Sequence, residues 1–108
     1  MVPQVYESDW RLFRKKLPEW QEKHMETLIG EYAALLAGSG AASDKFRALE
    51  KRINADKRQT GVVARMSRSN MHLNLIQLLA EGVITLDDLD GFSDDLRGQM
   101  AFLMRDSD

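Results

Sequence analysis

The chain has 108 residues, 44% hydrophobic and 30% charged, with a formal net charge of −2. That size and balance fit one folded domain over residues 1–108 and exclude wholesale disorder. The lack of cysteine excludes disulfides, thiolate metal sites and cysteine nucleophiles, and near-neutrality gives no global pull toward nucleic acid or anionic membrane.

Met1–Val2–Pro3–Gln4–Val5 carries neither the basic nor the apolar stretch of a secretion signal. The longest apolar run, Ala33 to Ala37, is far short of the roughly 20 residues of a membrane helix, so a cytoplasmic protein without a membrane contact is expected. Ser8 is placed to cap a first helix, with Asp9 near the positive end of its dipole. Trp10, Phe13 and Leu17 share one face of it. Pro18 is expected to end this helix and open the next, because proline disfavours helical angles in the residue before it but suits a first turn. Met25, Leu28, Ile29, Tyr32, Leu35 and Leu36 then form an amphipathic stripe, with Glu19, Glu22, Glu26 and Glu31 on or near the other side. Gly38 is expected to close that second helix in a left-handed conformation, and residues 38–42 to form a connector.

Ser43 and Asp44 open a third helix with Phe46, Leu49 and Ile53 on one face, fraying around Asp56–Lys57–Arg58 and broken at Gly61. A fourth helix is predicted from Val62 to Glu81. Its apolar residues spread over more than half the circumference and leave a polar stripe of Ser67, Asn70, Asn74, Gln77 and Glu81, the pattern of a central helix. After Gly82, Thr85 and Asp88 form a capping box for a short turn over Leu86–Asp90, stopped by Gly91. Ser93 caps a last helix bearing Leu96, Met100 and Leu103. The fold class is all-α, an irregular bundle of about five or six helices.

Four stretches carry a resemblance. They are Tyr6–Glu7–Ser8–Asp9–Trp10, Pro18–Glu19–Trp20–Gln21–Glu22, Arg68–Ser69–Asn70–Met71 and the run from Gly82 to Leu89. Together the chain resembles a family of small helical proteins from anaerobic and gut-associated bacteria, often labelled "multidrug transporter". The resemblance implies a bacterial, cytoplasmic origin and brings no functional residues with it. The transporter label conflicts with the lack of a segment able to span a bilayer.

No catalytic constellation is legible, so a non-enzymatic protein is expected. His24 and His72 lie outside Glu-x-x-His and His-Glu-x-x-His spacings, and neither a nucleophile elbow nor a phosphate loop occurs. Buried carboxylates at Glu31 or Glu50 would be the sign of a catalytic pocket. Asp87, Asp88, Asp90 and Gly91 fail as a calcium loop, since aligning Gly91 with the loop glycine puts Leu86 and Arg97 where acidic ligands belong. Helix capping explains these acids better. No metal or cofactor is therefore expected.

Charge is unevenly distributed. Residues 44–68 hold eight basic and three acidic residues, net +5, whereas residues 81–108 hold eight acids against Arg97 and Arg105, net −6. On a continuous fourth helix Arg65, Arg68 and His72 form a stripe that either pairs with the acidic C-terminal region or stays free for a partner. Trp20 lies off the centre of the apolar stripe and is the aromatic best placed to anchor a partner. The expectation is a small interaction or regulatory module that binds a protein or itself through Trp20, Arg65, Arg68 and His72. The alternative is a DNA- or RNA-binding regulator using Lys51, Arg52, Lys57, Arg58, Arg65, Arg68 and Asn70, with segment 44–72 as a helix-turn-helix. The long interruption around residues 54–60 counts against that motif.

Overall fold

Trp10, Phe13, Leu17 and Trp20 keep helical spacing on both sides of Pro18, and this stripe decides the first element. In the computed structural model, which describes residues 5–105, helix α1 runs unbroken over Glu7–Ala37 with Pro18 inside it. The expected break at Pro18 is thus corrected. An interior proline costs about 3 kcal/mol, whereas each large side chain buried is worth about 1.5–3 kcal/mol, and all four of these are buried. Helix α1 also starts two residues earlier than expected: Tyr6 is the N-cap residue and Ser8 lies within the helix.

Helices α2 (Ala42–Asp56), α3 (Met71–Ala80) and α4 (Asp94–Arg105) follow, with single 3-10 turns at Arg68–Asn70 and Leu86–Leu89. Among the described residues the fold is all-helical, with four α-helices rather than five or six and no strand. Readings that rest on Met1–Gln4, Asp106 or Asp108 fall outside these residues. Gly38 is extended (φ −69°, ψ 173°), so the expected left-handed closure of α1 does not occur. Gly91 (φ 94°) does take the left-handed region, where a side chain would be strained, and ends the second 3-10 turn as expected.

The predicted fourth helix is also shorter than its pattern. Residues 62–67 are irregular, and α3 starts at Met71. Local side-chain bonds compete with the helix here: Asn70 Nδ2 donates to Ser67 Oγ (2.7 Å), and buried Asn74 donates to the Arg65 carbonyl (2.8 Å). What remains is central, as expected, with Met71, Leu75 and Leu78 fully buried.

The core joins the first half of α1 to α3, the 3-10 turn at Leu86–Leu89 and α4. Trp10, Phe13, Leu17 and Trp20 meet Met71, Leu75 and Leu78, and Ile84, Leu89, Phe92, Leu96 and Met100 complete the cluster. Trp20 stacks on Phe92 at 6.3 Å between ring centroids, and Phe13 meets its edge at 6.4 Å. The N-terminus of α4 is tied to α1. Ser93 Oγ accepts the Leu96 N–H (3.3 Å), the expected cap, while Ser93 N–H (2.7 Å) and Oγ (2.6 Å) both donate to the buried Asp9 carboxylate. The Thr85–Asp88 capping box is present as read from the sequence.

The second half of α1 leaves this body and pairs with α2 as a hairpin. The molecule is accordingly elongated, 52 × 28 × 23 Å with a radius of gyration of 16.6 Å. A compact chain of this length has about 13 Å.

Candidate functional site

The seam of the hairpin is polar. Tyr32 Oη donates to Asp56 (2.5 Å), Arg52 pairs with Glu31 (2.9 Å) and Asp56 (3.5 Å), and its guanidinium lies 5.4 Å from the centroid of the Tyr32 ring. Burial and the bond to Asp56 raise the Tyr32 pKa, and the bond to Glu31 raises that of Arg52. These contacts set the two helices side by side while contributing little apolar burial. The one buried residue of α2 is Asp56.

The apolar stripes of both helices therefore stay open. Ile29 is 60% exposed and Phe46 71%, with Met25, Leu36 and Ile53 also exposed. Met25, Leu28, Ile29, Tyr32, Ile53 and Val62 line a groove of about 270 Å³ whose floor is nearly all apolar. Ile53 also borders a second hollow of about 250 Å³ beside Phe46 and Leu49, so the two form one continuous face.

The segment after α2 fixes this hairpin to the body. Glu81 accepts the N–H groups of Thr60 and Gly61 (3.2 Å each), Thr60 Oγ1 donates to Gln77 (2.9 Å), and Gln21 Nε2 donates to the Thr60 carbonyl (3.0 Å). Gln77 and Glu81 of the polar stripe thus grip the neighbouring loop. Gly61 is required by space: a Cβ there would sit 2.5 Å from His24 Cδ2 and 2.6 Å from Val83 Cγ2. The His24 Nε2 atom is buried without a hydrogen-bond partner.

The residues expected to bind a partner are not brought together. Trp20 is a core residue, 9% exposed, because the first two stripes belong to one helix; its expected role as an exposed anchor is corrected. Arg65 is exposed but precedes α3, so it shares no helical stripe with Arg68 and His72. Arg68, in the 3-10 turn, pairs with Glu7 (2.6 Å) and lies 5.8 Å from the Trp10 ring centroid. His72 is half-buried in the first turn of α3, beside a 220 Å³ hollow against α4, and desolvation lowers its pKa, opposed in part by Asp9.

The nucleic-acid set is also dispersed. Lys51 is exposed on α2, Lys57 and Arg58 are exposed just past its end, Arg52 is engaged in the hairpin seam, and Asn70 bonds Ser67. Residues 57–70, none of them α-helical, separate α2 from α3, so the two do not form a helix-turn-helix with a short turn. Among the described residues no ion pair links the basic segment to the acidic C-terminal region; Arg52 and Arg68 turn to acids of α1. Glu31 and Glu50 are both exposed, and no cluster of His, Asp and Glu among the described residues is arranged to hold a metal ion. No helix of the described residues is long and apolar enough to cross a membrane.

The open face was missed because an amphipathic stripe reads equally well as core or as docking surface. One signal was available: α2 has Phe46, Leu49 and Ile53 as its large apolar residues among seven charges, too few to define a core of its own. No family model, curated protein or solved structure matches the chain.

Proposed function

We propose that the chain is a small, non-enzymatic protein-interaction module of the bacterial cytoplasm, and that its working surface is the open apolar face of the α1–α2 hairpin. One observation carries this reading: large side chains at Met25, Ile29, Leu36, Phe46 and Ile53 stand exposed together on two adjacent helices. Scattered apolar residues on a surface are ordinary, but a contiguous patch around a groove is characteristic of partner sites. This surface takes the place of Trp20, Arg65, Arg68 and His72 as the site of binding.

The alternative of a DNA- or RNA-binding regulator has weaker support, since Arg52, Arg68 and Asn70 are already engaged within the chain. A photo-reactive residue in place of Phe46, in the living cell, tests the module reading. A discrete covalent adduct heavier than the 12.3 kDa chain is expected, with none from the same probe at exposed Lys15. No adduct at position 46 overturns the reading.

A further inference from the structure

We propose that the occupant of this face is a second copy of the chain, so that two hairpins close on each other into a four-helix interface; the proposal rests on the reading of the face as a docking surface. A hairpin with an apolar stripe along both helices is half of a four-helix bundle. The complementary half must present two helices of similar length with their own open stripe, and this chain is such an object. The 15 residues of α2 extend about 22 Å and two helices are about 20 Å across, a patch of several hundred Å².

Charge selects the pairing. Helical spacing places Glu22 and Glu26 on the edge of α1 that points away from Glu31 and α2, beside Met25 and Ile29. The corresponding open edge of α2 carries Arg47, with Lys57 lining the groove and Glu50 the acid between them. Glu22, Glu26, Arg47 and Lys57 are all exposed, and none makes an ion pair within the described chain. With α1 of each copy over α2 of the other, a two-fold axis along the helices keeps each residue at its own height. Glu22 and Glu26 then come level with Lys57 of the second copy, while Arg47 lies about 15 Å further toward the hairpin tip; the symmetry repeats the match. Laying α1 on α1 reverses the second copy about the axis and leaves Lys57 over its own counterpart helix, away from Glu22 and Glu26. Self-association also supplies what α2 lacks, a cover for Phe46, Leu49 and Ile53, since its own chain buries none of them.

Sedimentation of the purified full chain tests this. A species of twice the 12.3 kDa mass is expected at tens of micromolar. Ile29→Glu with Phe46→Glu should be monomeric with unchanged helicity, because both side chains are exposed. Glu22→Lys with Glu26→Lys should weaken association at least about tenfold, and mixing it with Lys57→Glu should restore a mixed dimer. A dimer indifferent to Ile29→Glu/Phe46→Glu overturns the proposal, as does a wild type monomeric up to about 200 μM. In that last case the position-46 crosslink separates the two ideas. An adduct with another protein removes the second copy and keeps the module, whereas no adduct removes both.

Discussion

Asp9 is the residue on which the most structure converges. It is 2% exposed, and it takes both the N–H and the Oγ–H of Ser93, which in turn caps α4 through Leu96. A carboxylate at that point also faces the positive end of the α4 dipole. Asp9→Ala leaves the partly buried Ser93 N–H unpaired and loosens the cap, so a loss of about 2 kcal/mol is expected in urea denaturation. Ser93→Ala, which leaves Asp9 bonded to the backbone N–H, should cost about 1 kcal/mol. His72 gives the pH dependence. Its pKa is lowered in the fold by burial, so the unfolded chain takes up the proton first as pH falls. Its contribution to stability is full above the ordinary histidine value of about 6.5 and is lost as pH drops from there toward the lowered folded value. Urea midpoints at pH 7.5 and about 5.5 should therefore differ more for the wild type than for His72→Gln. Equal differences would remove His72 as the source.

At the scale of elements, Pro18 separates local from tertiary signals. It sits exposed inside α1 and lacks the N–H that would bond the Arg14 carbonyl. Pro18→Ala should raise the unfolding free energy by about 1–3 kcal/mol, read by thermal or urea melts. No change, or a loss, would mean that the proline bends α1 in a way its packing needs. The same residue explains how far the sequence could be read. Caps and turns were legible because their chemistry is local: Ser93, the Thr85–Asp88 box and Gly91 act within a few residues. Helix bounds were not, because they depend on contacts far along the chain. Trp10 and Trp20 hold α1 together across Pro18 by packing against α3 and α4, and Asn74 folds residues 65–70 away from the helix that their spacing suggests. The candidate surface was half legible. Every residue of the open stripes was identified as apolar and facing one way, but not which stripe the core would claim. Only the first half of α1 meets α3 and α4; the second half meets α2, whose seam is made of Tyr32, Asp56, Arg52 and Glu31.

At the scale of the whole molecule, stability is divided between unequal parts. The body holds the aromatic and aliphatic cluster from Trp10 to Met100, whereas the hairpin contributes Leu28 and the polar seam to the buried set. An isolated helix of the length of α2 is marginal in water, and exposed ion pairs such as Arg52–Glu31 add little to it. Local opening free energies should follow this division. In dilute protein, amides of Lys45–Ile53 should exchange at least about tenfold faster than those of Leu75–Leu79, a gap of about 1.4 kcal/mol. Raising the concentration through the association range should slow exchange in α2 and along the Met25–Leu36 segment of α1, and leave α3 unchanged, because burial of Phe46 and Ile29 at the interface couples binding to helix closure. Concentration-independent exchange in α2 would mean that the hairpin is held by its own seam. Uniform protection across α2 and α3 would mean that body and hairpin open as one unit.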